Sequence, residues 1–195
     1  LRGIDNLDNG IQLDFVFNSA TQPLADWPHA AELHLRVRLD GRLHLELNSR
    51  NLGNTPLAIS QALHSYFAVS NIRQVEVEGL HGCRYIETLE DWQQRQQDGT
   101  LHFAGETDRI YLDTPAQLSI LDRAWQRRIH LHSSGSNSAV LWNPWIDKAQ
   151  RLSQFADDAW QGMLCVEHAN VMDDIRVLMA GEQHQLNLSI SSQPL

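Results

Sequence analysis

Between residues 33 and 47 the chain alternates apolar and polar side chains almost without a break. Leu33, Leu35, Val37 and Leu39 are interleaved with His34, Arg36, Arg38 and Asp40, and then Leu43, Leu45 and Leu47 with His44, Glu46 and Asn48. Successive side chains on an extended strand point to opposite faces, so this period of two makes one face of each run apolar. Asp40-Gly41 sits between the runs as a tight-turn signal, and the pair reads as a β-hairpin. Pro56 opens a third run over 57–67. Shorter strand signals follow at 74–77, 84–87, 109–112, 117–121, 127–132, 139–142, 163–169 and 185–191, with turn residues between nearly all of them. Many short strands at this spacing predict an all-β fold, an antiparallel β-sandwich or barrel.

Two stretches break the pattern. Residues 90–99 are polar and glutamine-rich, and read as a surface loop or a single helical turn. Residues 146–161 place Lys148, Arg151, Asp157 and Asp158 around Leu152, Phe155 and Trp160, a spacing that suits a short amphipathic helix. A chain of 195 residues with 42% apolar composition can bury one sizeable core, so a single domain over 1–195 is expected. The chain opens on Leu1 rather than Met, and its first six residues read as the end of something. The expectation is the C-terminal portion of a longer protein.

Charge and composition exclude several partners. The net charge is −9 and no Lys/Arg cluster occurs, which argues against nucleic acid. No run of 18 apolar residues is present to cross a membrane, and no signal-peptide pattern opens the chain. Cys83 and Cys165 are too few and too far apart for a disulfide framework, and read as reduced thiols of a cytoplasmic protein. A monomer is the default.

Two segments a hundred residues apart carry candidate chemistry. Ala62-Leu63-His64-Ser65-Tyr66-Phe67 and Cys165-Val166-Glu167-His168 each place one proton-transfer residue inside an apolar, strand-like run. A lone strand histidine is more often structural than catalytic. A carboxylate in such a strand is costly to bury unless paired or functional, and otherwise faces outward. Ten histidines raise the question of a metal. His130 and His132 share a strand face and His34 and His44 lie on facing strands, but no Cys-x-x-Cys or His-Glu-x-x-His spacing occurs, so no metal site is assigned. There is no Gly-x-Ser-x-Gly elbow, and Gly79 and Gly82 only flank a turn. Trp142-Asn143-Pro144-Trp145 reads equally as core packing at a strand end or as an aromatic wall for a sugar ring.

Taken in order, these segments resemble the hexose-6-phosphate mutarotases, or glucose-6-phosphate 1-epimerases, within the wider aldose 1-epimerase group. The resembling stretches are Trp27-Pro28-His29-Ala30 with the hairpin to Asn51, Gln61 to Phe67, and Gly79-Leu80 through Tyr85-Ile86. Gly105-Glu106-Thr107-Asp108-Arg109-Ile110-Tyr111-Leu112 follows, then Val140 to Trp145 with Lys148, and Met163 to Glu167. The resemblance implies an antiparallel β-sandwich of the galactose-mutarotase type (a supersandwich). It implies that His64 is the general acid, that Glu167 is the general base, and that Asp108 binds sugar hydroxyls. No cofactor is implied, and the partner is a small-molecule sugar phosphate. It further implies an N-terminal portion, outside this chain, that supplies sandwich strands and the residues gripping phosphate and sugar. Within the chain, Trp142, Lys148 and Arg109 are the local substrate-binding candidates, with an ion pair as the competing role for Arg109. Two other readings stay open: a non-catalytic carbohydrate-binding β-sandwich module, and a structural domain that works through a sheet edge.

Overall fold

The computed structural model describes residues 1–195. Its first strands are β1 (Gly3–Leu7), β2 (Gly10–Asn18), β3 (Ala31–Leu39), β4 (Leu43–Asn51), β5 (Leu57–Ile59) and β6 (Gln61–Ala68). Then come β7 (Val75–Glu78), β8 (Arg84–Glu87), β9 (Gln93–Gln96), β10 (Leu101–His102), β11 (Thr107–Leu112) and β12 (Gln117–Asp122). The last are β13 (Arg127–Ser134), β14 (Ser138–Asn143), β15 (Met163–Asn170), β16 (Arg176–Leu178) and β17 (Gln183–Pro194). One helix, α1 (Trp145–Ala149), follows β14.

Nine strands form one sheet in the order β1-β2-β3-β4-β17-β13-β12-β7-β10. Six form a second in the order β6-β15-β14-β11-β8-β9, and β16 pairs with β5. Every pairing is antiparallel. The β3–β4 hairpin closes on Leu39 opposite Leu43, leaving Asp40-Gly41-Arg42 as the loop. Gly41 takes φ +96° there, a conformation that a side chain would strain.

The core lies between the two sheets. Val77, Ile120, Leu131 and Leu186 of the nine-stranded sheet meet Leu63, Leu141, Leu164, Val166 and Tyr111 of the other, all in one buried cluster. None of that cluster comes from β1, β2, β3 or β4; Leu35, Leu45 and Leu47 are only partly buried against it. The nine-stranded sheet therefore overhangs the six-stranded one. Ile11 and Phe15 are more than a third exposed on the overhanging strands, and β6 has a strand neighbour on one side only.

The structure departs from the sequence expectations most clearly as follows, apart from the short unannounced strands β10 and β16. β1 and β2 precede the first run read as a strand; the alternation Ile11, Leu13, Phe15, Phe17 is the signal that carries β2. The run 57–67 is broken at Ser60, because β5 pairs with β16 and β6 with β15. Residues 90–99 are neither loop nor helix throughout, since Gln93–Gln96 adds an edge strand to β8. All four of its side chains are exposed, so no apolar alternation could announce it. The helix expected over 146–161 is one short turn at Trp145–Ala149, followed by turns and a 3₁₀ segment at Ala159–Gly162. Gln154, at φ +62°, interrupts any continuous helix. Trp160 packs its ring on Trp145 instead, 4.6 Å between centroids, with the Arg73 guanidinium over both.

Candidate active site

Strand parity gathers the candidate residues onto the face of the six-stranded sheet that looks away from the core. Register places Asp108 of β11 opposite Trp142 of β14, Trp142 opposite Cys165 of β15, and Cys165 opposite Tyr66 of β6. Two residues along each strand, Ile110, Val140, Glu167 and His64 form the next row. Residues two apart share a face, so the two rows make one continuous patch.

His64 and Glu167 are in direct contact. Nε2 of His64 lies 3.1 Å from Oε1 of Glu167, and Nδ1 of the same ring lies 3.1 Å from Sγ of Cys165. The Cys165 sulfur is also 3.6 Å from Oε1 of Glu167. The His64 ring stacks on Tyr66 at 4.7 Å and 13°, and Tyr66 meets Trp142 edge-on at 6.4 Å. Tyr66 thus sets the plane of the imidazole and Cys165 holds its Nδ1 edge. Nε2 is left facing Glu167.

The environments of the two partners differ. The Glu167 side chain is 12% exposed and that of His64 is 49%. Burial pushes the Glu167 carboxyl above its ordinary range. The charge of His64 and the hydrogen bond from Cys165 oppose that rise, while the nearby Asp108 adds to it. Burial likewise keeps the Cys165 thiol protonated, reinforced by the charge of Glu167.

Asp108 closes the other end of the patch. Its carboxyl is also raised, first by burial, with Lys148 pulling it back down. Lys148 reaches over from α1, with Nζ 3.4 Å from Glu106, 3.8 Å from Asp108 and 5.9 Å from the centre of the Trp142 ring. What places this helix is Asn143. Its side-chain amide donates to the carbonyls of Trp160 and Met163, and its oxygen accepts from the Trp145 N–H. Within the Trp142–Trp145 motif, Trp142 lines the patch, while Asn143 and Trp145 anchor the turn that delivers Lys148.

One candidate does not join the others. Arg109 is one residue out of phase with Asp108 and points to the opposite face. There its Nε donates to Glu87 at 2.7 Å and its guanidinium lies over Tyr85. Arg109 is thus held in an ion pair on the other face of the sheet, away from the patch where it was expected as a substrate-binding candidate. Cys165, Tyr66 and Glu106 were not singled out from the sequence. Each lies two residues from a residue that was (Glu167, His64 and Asp108), and the period of two is the signal that would have found them.

Comparison with known proteins identifies the family. A family model described as aldose 1-epimerase matches residues 2–191. A Cenchrus ciliaris protein named "putative glucose-6-phosphate 1-epimerase" is 34% identical over 93% of this chain and 56% of its own length. A Salmonella typhimurium protein of the same name is 32% identical over 82% of this chain and 53% of its own. The chain thus spans little more than half the length of these relatives. Among solved structures, a Salmonella typhimurium "putative mutarotase (YeaD)" superposes with a TM-score of 0.91 over 100% of this chain and 64% of its own, at 28% identity. A galactose mutarotase-like protein from Clostridium acetobutylicum reaches 0.74 over 100% of this chain and 66% of its own, at 13% identity, a likeness of fold alone.

Proposed function

The chain belongs to the aldose 1-epimerase family, with the antiparallel sandwich of its galactose mutarotase-like members, and we propose that it interconverts the α and β anomers of a hexose 6-phosphate. The observation that carries this reading is the His64–Glu167 contact on an open, polar and aromatic sheet face. Anomerisation needs a proton delivered to the ring oxygen and another removed from the anomeric hydroxyl. Both oxygens are bonded to one carbon, so the acid and the base must stand side by side and aim at a single point. An imidazole nitrogen and a carboxylate oxygen 3.1 Å apart satisfy that demand.

In this reading protonated His64 gives its Nε2 proton to the ring oxygen while the Glu167 carboxylate takes the proton of the anomeric hydroxyl. The ring opens to the aldehyde, the C1–C2 bond turns, and closure on the other face reverses both transfers. The pair returns to its starting state and no cofactor takes part. Each group contributes on the order of 10²–10⁴-fold. The raised carboxyl of Glu167 suits a residue that must be both base and acid in one cycle. We assign Asp108 to the sugar hydroxyls, Trp142 to an apolar face of the ring, and Lys148 to the orientation of Asp108 at the rim of the patch.

The names of the relatives support a phosphorylated hexose as substrate. No helix of the chain is long and apolar enough to cross a membrane. Its two free thiols, Cys83 and Cys165, fit a reducing compartment such as the cytoplasm. The test is magnetisation exchange between the α and β H1 resonances of glucose 6-phosphate. Exchange that rises in proportion to protein concentration supports the proposal. Binding without faster exchange would assign the chain to the carbohydrate-binding alternative.

A further inference from the structure

We propose that His64, Cys165 and Glu167 form a binding site for a thiophilic divalent cation, zinc above all, and that the ion shuts off the acid–base pair. The three residues bring an imidazole nitrogen, a sulfur and a carboxylate oxygen together with all donor atoms within 4.8 Å of one another. Sulfur lies 3.1 Å from Nδ1 and 3.6 Å from the carboxylate, and the carboxylate lies 3.1 Å from Nε2, the ring nitrogen that would ligate the ion beside it. Donors so close to one another can share one small ion after minor adjustment, because zinc sits about 2.0–2.3 Å from each of its ligands.

The donor set chooses the metal. Sulfur and imidazole are ligands of zinc, cobalt and copper, whereas magnesium and calcium take oxygen. Three protein ligands leave a fourth position for water or a sugar hydroxyl. The half-exposed His64 gives the ion access from solvent, and the buried sulfur and carboxylate hold it from beneath. Binding exchanges the thiol proton for the metal: the S–H bond breaks, the proton goes to solvent, and the sulfur lone pair binds the cation. No oxidant or reductant is needed.

Sequence spacing could not show this site, because His64 lies 101 residues from Cys165 and on a different strand. The consequence for activity follows from the shared atoms. With Nε2 of His64 and Oε1 of Glu167 both bound to the cation, neither atom can give or take the protons of a hemiacetal. That inhibitory role rests on the anomer-exchange reading above; the binding itself does not.

The experiment separates the two. A Cys83→Ser protein, which removes the second thiol, is freed of metal with a chelator and titrated with Co2+. The expected result is one cobalt per chain, with a thiolate-to-cobalt charge-transfer band and the strong visible absorption of a four-coordinate ion. Cys165→Ser should lose the charge-transfer band. His64→Asn, a change at an exposed side chain, should weaken cobalt binding at least ~10-fold. Zn2+ should displace cobalt and, in the exchange assay, suppress turnover at least ~10-fold at saturation, with recovery on adding EDTA. Cobalt spectra that lack the band, or that keep it in Cys165→Ser, overturn the site. Saturation of the cobalt site by zinc with undiminished exchange overturns the inhibition while leaving the site. A protein with no exchange activity at all refutes the anomer reading and still reports the metal through cobalt.

Discussion

His168 gives the sharpest test of how the sheet around the site is held together. It follows Glu167 on β15 but faces the core, where it is fully buried and neither ring nitrogen has a protein hydrogen-bond partner. Burial, with a smaller push from the charge of His132, takes its pKa from 6.5 down to about 4. Above pH 6.5 the ring is neutral in both folded and unfolded chains and costs nothing by titration. As the pH falls below 6.5, the unfolded chain binds a proton that the folded chain refuses. Stability is lost until the folded ring itself titrates near pH 4. At about 1.4 kcal/mol per pH unit, the fold loses about 2 kcal/mol by pH 5 and about 3 kcal/mol by pH 4 from this residue. His168→Leu removes the titration and two unpaired buried polar atoms. The variant should be more stable than wild type by about 1–3 kcal/mol at pH 7. The gap should widen by about 2 kcal/mol at pH 5. Urea unfolding followed by tryptophan fluorescence at the two pH values measures both numbers. Parallel losses in the two proteins between pH 7 and pH 5 would refute the reasoning, because the slope would then belong to other groups.

Other outcomes follow from the site itself. Because Glu167 acts as a base only when ionised, exchange should fall as the pH drops through its raised pKa. A pH–rate profile should place the acid limb above 4.5, and a limb at or below that value contradicts its burial as described. Asp108→Ala should weaken sugar affinity by about 1.5–3 kcal/mol, the worth of a hydrogen bond to a charged group, and titration calorimetry that finds unchanged affinity would return Asp108 to a surface role. Asn143→Ala strips the partners from two buried carbonyls and from the start of α1, and should cost about 2–3 kcal/mol. A thermal melt with an unchanged midpoint would show that Asn143 does not anchor the Lys148 turn.

What the sequence revealed follows from which signals are periodic. The strands flanking Asp40-Gly41 and those bearing His64 and Glu167 announce themselves, because one face is apolar and the turn chemistry is specific. β9 stays silent because Gln93–Gln96 is an edge strand with every side chain in solvent; its order comes from the backbone ladder with β8. The short helix was overread because Leu152, Phe155 and Trp160 are spaced as a helix face, yet Trp160 is claimed by the Arg73–Trp145 stack. Within the site, His64 and Glu167 are visible as proton-transfer residues in apolar runs and Trp142 as part of an aromatic motif, whereas Asp108 is reached only through the family resemblance. Their meeting depends on pairing β6 with β15, β15 with β14, and β14 with β11, a matter of long-range register. Arg109 shows the converse: a cation adjacent in sequence to Asp108 is for that very reason on the opposite face of the sheet.

The central claim is that His64 and Glu167 act together on one hemiacetal, and a double-mutant cycle tests it most directly. Anomer exchange of glucose 6-phosphate would be measured by NMR for wild type, His64→Asn, Glu167→Gln and the double variant. Each single change should slow exchange at least ~100-fold. The double variant should be little slower than the slower single one, because two groups that serve one step fail together. Wild-type exchange in either single variant, or losses that multiply in the double variant, would contradict the account.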